Sequence, residues 1–247
     1  MPDSDNTLAA GPGHSEPPPN EKWTAVERYI SDHLIPSDPA MDAARDANVA
    51  AGLPAIDVAP PEGKLLYLLA RMLNARRILE IGTLGGYSTI WLARAMPANG
   101  RLITLEVNPR HAEIAKANLA RAGFTERVEI RVGPALETLE ALAGENLPLF
   151  DLIFIDADKA NNPNYLEWAV PHTRRGGLVI VDNVVRDGAI LDPNDPDPNI
   201  QGSRQLFERM GKDPRLIATA LQTVGSKGYD GFAIAMVTGD RKDRQPR

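Results

Sequence analysis

The sequence ILEIGTLGGYS at residues 78–88 decides the fold, because a short apolar run passes directly into a glycine-rich turn. Such an apolar run is typical of a strand covered on both faces of a parallel sheet. Glycines let the backbone turn tightly and approach a ligand at the carboxyl end of the strand. The turn has neither the Gly-Lys-Ser/Thr of a Walker loop nor the Gly-x-Gly-x-x-Gly order of a dinucleotide site. We therefore predict a cofactor loop and treat phosphate cradling as the weaker alternative.

Short apolar runs alternate with amphipathic stretches beyond this turn, which indicates βαβ units and a parallel sheet. The predicted strands are residues 78–81, 102–105, 128–132, 152–155 and 178–181. The predicted helices between them are residues 88–95, 110–121, 135–142 and a stretch near 165–170. Apolar runs at 216–224 and 231–237 flank a turn-rich sequence and predict a late antiparallel hairpin. The sequence thus predicts an α/β, Rossmann-like fold with a mostly parallel sheet.

The chain before the first strand divides into a polar leader and a helical region. Residues 1–20 are rich in proline and have little apolar surface to bury, so we expect a disordered leader. Amphipathic stretches at 23–33, 41–51 and 61–73 predict three helices that cap the pocket. We expect residues 21–247 to form a single catalytic domain with this N-terminal helical cap.

Composition excludes several classes of function. The net charge of −6 and the pI near 5.3 argue against a nucleic-acid partner, which would require a basic surface. The chain has no cysteine, so any metal must be held by oxygen or imidazole. No apolar run approaches the length of a bilayer span and no secretory signal is evident, so we expect a cytoplasmic protein without a membrane partner.

Glu106 stands at the end of the second predicted strand, 24 residues after Gly82. At this point an acidic side chain can accept hydrogen bonds from both hydroxyls of a ribose. A glutamate at a strand end is otherwise commonly solvated. The glycine loop and the acid together predict an adenosine-binding site.

Charged and amide side chains follow the fourth and fifth predicted strands. The fourth strand leads into Asp156-Ala157-Asp158-Lys159 and the fifth into Asp182-Asn183. Because parallel strands end at one edge of a sheet, we expect these groups to converge. Two carboxylates and an amide oxygen form a hard half-shell suited to Mg²⁺, Mn²⁺ or Ca²⁺. The alternative is that Asp182 and Asn183 only cap the turn that follows.

Residues 59–237 resemble the cation-dependent O-methyltransferases of the catechol and caffeoyl-coenzyme A type. The stretch 102–109 follows the second strand of that family closely. The family motif Glu-x-Gly-x-x-x-Gly-Tyr-Ser is matched by Glu80, Gly82, Gly86, Tyr87 and Ser88. The resemblance implies the methyltransferase form of the Rossmann-like fold, with S-adenosylmethionine as cofactor.

The resemblance also implies a role for individual residues at the cofactor. Glu80, Gly82 and Ser88 would face the methionine part, and Glu106 would bind the ribose. The backbone at 133–135, ending at Ala135, would border the adenine. Gly86 and Tyr87, in the same loop, would also belong to the cofactor site. Asp156 would contact the cofactor and bind the metal as well.

For the chemistry, the resemblance assigns a divalent cation, with Mg²⁺ preferred over Mn²⁺ or Ca²⁺, to Asp156, Asp182 and Asn183. It assigns Lys159 as the general base that takes a proton from a catechol-like hydroxyl of a small aromatic substrate. It also suggests a homodimer. Asp158 would support Lys159, lie near the metal or remain a solvated turn residue. Asn162 departs from the family, which commonly has a tyrosine there.

Two other enzyme classes remain open from the residues. A metal-independent methyltransferase acting on a small molecule would need the same cofactor loop. An NAD-dependent dehydrogenase would also have a glycine loop and an acid after the second strand. The order of the glycines and the metal half-shell count against the dehydrogenase, whereas the metal-independent methyltransferase is the closer alternative and stays open.

Overall fold

The structure, a computed structural model, describes residues 19–239. Most of the predicted leader, residues 1–18, lies outside the described residues, and residues 19 and 20 already belong to the first helix. Over the described range no helix combines the length and the apolar character that crossing a membrane requires.

Three helices precede the sheet, as predicted. They are α1 (Pro19–Leu34), α2 (Pro39–Ala50) and α3 (Pro60–Met72). Proline occupies the first turn of α2 and α3, where its missing N–H has no helical partner to lose. The Asp38 side chain begins α2 by accepting hydrogen bonds from the backbone of Ala40 and Met41.

A seven-stranded sheet follows in the order β3-β2-β1-β4-β5-β7-β6. The first five strands pair in parallel, and β7 runs antiparallel between β5 and β6. The predicted parallel sheet and late hairpin are therefore confirmed. The strands are β1 (Arg77–Ile81), β2 (Arg101–Glu106), β3 (Val128–Val132), β4 (Phe150–Ile155), β5 (Thr173–Asp182), β6 (Leu216–Gly225) and β7 (Gly228–Val237).

Helices cover both faces of the sheet and create two apolar cores. One core contains Leu79 and Ile153, and the other contains Ile78 and Leu152, because successive strand residues point to opposite faces. The helices after β1 are α4 (Tyr87–Ala95), α5 (Pro109–Arg121), α6 (Ala135–Ala143), α7 (Asn162–His172) and α8 (Pro198–Lys212).

The segment between β5 and α8 is more ordered than its proline-rich sequence indicates. A short 3-10 stretch spans Arg186–Leu191, and the Asp197 side chain caps α8 by accepting a hydrogen bond from the backbone of Asn199. The Gln201 amide donates to the carbonyl oxygens of residues 193 and 195. These bonds tie the acidic segment to α8.

A carboxylate with no exposed surface joins β1, β2 and α4. Glu80 accepts hydrogen bonds from Ser88 at 2.6 Å, Thr89 at 2.5 Å and Thr104 at 2.6 Å. Burial is the largest influence on it and raises its pKa from 4.5 to about 7, although the hydroxyl donors oppose this shift. Because its folded-state pKa lies above the unfolded value, the proton that Glu80 retains stabilises the fold below pH about 4.5, and this stability is lost as the pH rises through about 7.

We predict that replacing Glu80 with glutamine removes this pH dependence. The melting temperature of the wild-type protein should fall relative to that of Glu80→Gln between pH 4.5 and 7 and stay parallel to it above pH 7. The rise in the pKa of Glu80 from 4.5 to about 7 corresponds to a change of about 3 kcal/mol in the free energy of unfolding across this pH range. Thermal melts across pH 4–9, with exposed Glu140→Gln as the control, measure it. Parallel melting curves for Glu80→Gln and wild type throughout would contradict the assignment.

Helix α8 passes very close to the 3-10 turn at Lys159–Asn161. A Cβ atom added to Gly202 would lie 2.1 Å from the carbonyl oxygen of Lys159, which is far inside van der Waals contact. A Cβ atom added to Gly211, on the same helix, would meet nothing within 4 Å. Glycine at residue 202 therefore allows the backbone of Lys159 to lie directly against α8.

We expect Gly202→Ala to destabilise the fold by roughly 1–3 kcal/mol, the usual range for overpacking a filled interior. Gly211→Ala should leave stability unchanged or raise it by up to about 1 kcal/mol, since alanine favours a helix. Chemical denaturation of both variants provides the comparison. Equal stability of the two variants would show that the close approach at residue 202 is not a constraint.

Candidate active site

The parallel strands bring the predicted site residues to one edge of the sheet. Ile81 pairs with Leu105 on one side and Ile155 on the other, so the residues that follow emerge at the same level. The backbone N–H of Gly82 donates to Leu105, and the N–H of Asp156 donates to Ile81. A Cβ atom on Gly82 would lie 2.4 Å from the carbonyl oxygen of Asp156, so only glycine fits this crossing.

The glycine loop bends sharply between β1 and α4. Leu84 and Gly86 have positive φ angles of 49° and 83°, and the N–H of Gly86 closes a turn on the carbonyl of Thr83. Tyr87 and Ser88 form the first turn of α4 and are both buried. The Tyr87 ring packs into the apolar core, and burial raises the pKa of its hydroxyl.

Glu106 shapes this loop through its side chain. Its carboxylate accepts hydrogen bonds from the backbone N–H groups of Thr83 at 3.2 Å, Leu84 at 2.8 Å and Asn108 at 2.9 Å. Its side chain is 7% exposed, and a carboxylate has roughly four acceptor positions, so capacity for another donor remains. The sequence did not predict the backbone bonds, because they depend on how the loop folds back over β2.

Ala135, predicted to border an adenine, begins α6 next to the same strand end. The N–H of Gly133 donates to the carbonyl oxygen of Glu106, which brings the 133–135 segment beside β2. Ala135 is partly buried against the core. The residues predicted for the ribose and for the adenine therefore lie on adjacent strand ends.

Lys159 and Asp156 form an ion pair at the end of β4. The Lys159 ammonium lies 2.7 Å from Asp156 Oδ1, and only 7% of Lys159 is exposed. Asp158 points elsewhere, since it accepts hydrogen bonds from the Tyr165 hydroxyl and the Asn161 amide. Asp158 thus holds the start of α7, and burial together with this hydrogen bond raises the pKa of Tyr165.

Asp182 and Glu62 form a second acidic contact at the end of β5. Asp182 is 4% exposed, and burial raises its pKa well above the usual value, with the negative charges of Asp156 and Glu62 adding to the effect. Burial also raises the pKa of Glu62, and the two carboxyl groups share a hydrogen bond. Asn183 follows with a positive φ of 53°, and its N–H donates to Asp182.

The side chains that follow β4 and β5 provide oxygen atoms of the kind that a hard cation prefers as ligands. Asp156, Asp182 and Asn183 offer carboxylate and amide oxygens, and Lys159 is the cation paired with Asp156. Among residues 19–239 no three His, Cys, Asp or Glu side chains group closely enough to count as a metal cluster. The proposed ligand set has only two carboxylates, so the amide of Asn183 would have to complete it.

Sequence reasoning missed two charged residues that the structure brings to this edge. Glu62 lies in the first turn of α3, where an acid is usually explained by the helix dipole. Lys227 lies in the β6–β7 turn, where lysine is an ordinary solvated residue. Neither position has a local signal, because each reaches the site only through tertiary packing.

Asn162, which replaces the usual tyrosine, is fully buried at the start of α7. Neither atom of its amide has a hydrogen-bond partner within the described part of the chain. A buried, unpaired amide is costly. The structure gives no physical account of why asparagine stands there.

An apolar cavity of about 500 Å³ opens beside Glu62, Asp182 and Asn183. Helix α1, predicted as part of a cap, forms one of its walls. Its apolar lining is Trp23, Val26, Ile30, Leu65, Val224 and Phe232.

Comparison with known proteins identifies the family. A family model described as O-methyltransferase matches residues 31–235. The catechol O-methyltransferase of Mycobacterium tuberculosis is 53% identical over 212 residues, covering 86% of this chain and 94% of that protein. The catechol O-methyltransferase of Niastella koreensis is 50% identical over 218 residues, covering 88% and 99%.

Solved structures agree with the sequence match. The O-methyltransferase from Bacillus cereus, in complex with SAH, superposes with a TM-score of 0.88 at 53% identity and covers 89% of this chain and 100% of that one. An O-methyltransferase from Streptomyces achromogenes, in complex with SAM, gives a TM-score of 0.87 at 48% identity over 90% and 99%. The chain therefore belongs to the O-methyltransferase family, which confirms the prediction of an S-adenosylmethionine-dependent O-methyltransferase.

Proposed function

We propose that the chain methylates a catechol-like hydroxyl of a small aromatic substrate and that it requires a divalent cation held by Asp156, Asp182 and Asn183. The observation that carries this proposal is the burial of Asp182 beside Asp156 and Glu62 at the mouth of an apolar cavity. Burial is the largest cause of the raised pKa of Asp182, and repulsion from the negative charges of Asp156 and Glu62 adds to it. A divalent cation would relieve that repulsion, with Mg²⁺ the first choice and Mn²⁺ or Ca²⁺ the alternatives.

We assign the cofactor to the glycine loop and the strand end beside it. Gly82 and Ser88 would contact the methionine part, and Glu106 would bind the ribose with its remaining acceptor capacity. Ala135 would border the adenine. Glu80 has no exposed surface, so it would act on the cofactor through the Ser88 hydroxyl that it holds.

Gly86 and Tyr87 would support the cofactor loop rather than contact the reacting atoms. Gly86 adopts the left-handed backbone that begins α4, and Tyr87 packs behind the loop. Asp156 joins the two halves of the site, because it lies next to Gly82 and also pairs with Lys159.

The chemistry follows from how these groups are arranged. A bound cation would lower the pKa of a chelated hydroxyl. Lys159 is held by Asp156 at 2.7 Å as an ammonium ion, so it would first release one proton to solvent. The neutral amine would then accept the hydroxyl proton at Nζ. The cavity walls would hold the aromatic ring so that the oxygen faces the methyl group in line. Alignment of two reactants can contribute roughly 7–11 kcal/mol, so no covalent intermediate with the protein is required.

The predicted homodimer and cytoplasmic location remain predictions. A metal-independent methyltransferase would share the cofactor site and the cavity and would differ in the cation alone. Metal dependence is therefore the decisive test of this proposal.

We expect chelation to abolish methyl transfer to catechol and Mg²⁺ or Mn²⁺ to restore it. Asp182→Ala should lose Mn²⁺ binding, measured by electron paramagnetic resonance, while calorimetric titration still detects binding of S-adenosylmethionine. Asp46→Ala, an exposed change on α2, is the matched control. Full activity in metal-free buffer would eliminate the cation from the proposal.

Lys159→Met should retain Mn²⁺ and S-adenosylmethionine but lower kcat by roughly 10²–10⁴, the usual contribution of a general base. Part of the loss should be recovered at higher pH, where the hydroxyl ionises without assistance. Lys116→Met, an exposed lysine change on α5, should behave as wild type. Wild-type kcat for Lys159→Met at neutral pH would remove the base assignment and leave the cation proposal standing.

A further inference from the structure

The glycine loop is packed against helix α5 at two successive glycines. A Cβ atom added to Gly86 would lie 3.3 Å from the Cβ atom of Ala115 on α5. One turn later on the same helix, the side-chain amide of Asn118 donates a hydrogen bond to the carbonyl oxygen of Gly85 at 2.8 Å. Glu106 meanwhile accepts hydrogen bonds from the N–H groups at the start of the loop. The loop backbone is therefore held by an acceptor where it begins and by a donor where it ends.

The Asn118 side chain also connects the loop to helix α2. Its nitrogen lies 3.1 Å from Asn48 Oδ1 and 3.4 Å from the carbonyl oxygen of Ala44, and its oxygen accepts from Arg121 at 2.7 Å. Asn118 has no exposed surface, and Asn48 is 2% exposed and donates in turn to Asp57. A buried amide whose donors and acceptor are all engaged is held in one orientation.

Asn48 lies directly against the backbone of the loop. A Cβ atom added to Gly85 would lie 1.9 Å from Asn48 Oδ1 and 2.4 Å from its Nδ2, so a side chain at residue 85 would displace the amide of Asn48. Helix α2, predicted only as part of a cap, therefore reaches the glycine loop through a polar side chain.

The conformation of the loop has to be maintained by its surroundings. Leu84 has a φ of 49°, in the left-handed region where the Cβ atom of a residue other than glycine crowds the backbone. A residue in that region keeps its conformation only where neighbouring contacts fix it. The hydrogen bond from Asn118 holds the next residue, Gly85, so its loss would free the strained turn to relax.

We propose that Asn118 is a positioning residue for the methyl donor. It fastens the glycine loop to helix α2, so the affinity for S-adenosylmethionine depends on Asn48 of the N-terminal helices. This inference rests on the proposed function, because it takes the glycine loop as the cofactor site. Both asparagines act through the loop backbone rather than by touching the cofactor, so they control binding of the donor and not the rate of methyl transfer.

Calorimetric titration of S-adenosylmethionine into Asn118→Leu tests the inference. This change keeps nearly the same side-chain shape and removes the donor to Gly85, so Kd should rise roughly five- to fiftyfold, as expected when a buried carbonyl loses its partner. The KM for S-adenosylmethionine should rise in step, while kcat at saturating cofactor and the KM for catechol stay at their wild-type values. Val170→Ala, a buried change on α7, is the control for general loss of stability and should leave Kd unchanged.

Asn48→Ala tests the connection to helix α2. It should also raise Kd, and the variant with both changes should lose less affinity than the product of the two single losses, because the two amides act through one shared hydrogen bond. An effect of Asn48 through Asp57 alone would instead multiply with that of Asn118→Leu. A loss equal to the product would therefore overturn the connection.

A wild-type Kd in Asn118→Leu, or an equal rise in Val170→Ala, would overturn the inference. Should Asn118→Leu fail to fold, Asn118→Ala takes its place in every comparison, since it removes the amide without adding apolar volume. Glu106→Ala separates this outcome from failure of the proposed cofactor site. Weaker binding in Glu106→Ala with wild-type binding in Asn118→Leu overturns the inference alone, whereas wild-type binding in both variants overturns the cofactor site as well.

Discussion

The parallel pairing of β1 with β2 and β4 is the constraint on which the rest of the site depends. Ile81 aligns with Leu105 and with Ile155, so three strands end at one level and their next residues share one edge. Gly82 makes this alignment possible, because any side chain there would strike the backbone of Asp156. Backbone hydrogen bonds of the sheet therefore set the level at which the cofactor loop and the residues after β2 and β4 emerge. The Glu106 side chain then holds the loop over the end of β2.

Several carboxyl groups on either side of the glycine loop are buried. Glu80, Glu62 and Asp182 are all buried enough that their pKa values are raised, yet each is stabilised differently. Glu80 is surrounded by hydroxyl donors and belongs to the fold. Glu62 and Asp182 lie close to each other, and burial together with the charges of Asp156 and Glu62 raises the pKa of Asp182. A buried carboxyl group thus supports the scaffold at Glu80 and, in the proposed function, would bind the cation at Asp182.

The sequence predicted the sheet and its strand ends because these depend on local patterns. Unbroken apolar runs followed by Asp156 or Asp182 indicate buried strands that end in polar groups. Glu62 and Lys227 were missed, since only tertiary packing brings α3 and the hairpin to that edge. Helix α8 was not among the predicted helices, because its sequence is polar and follows a proline-rich segment. Apart from Glu106, whose place after the second strand predicted ribose binding, the roles of individual residues at the cofactor came from family resemblance.

The hydrogen bonds between Glu27 and the β6–β7 turn lie apart from the parallel strands and the glycine loop. In the proposed function the parallel strands and the glycine loop would hold the methyl donor, whereas helix α1 and a two-residue turn border the cavity assigned to the acceptor. That turn joins two antiparallel strands and belongs to none of the parallel pairings. In the proposed function, acceptor preference can therefore change through substitutions in this short segment while the strands assigned to the methyl donor keep their sequence.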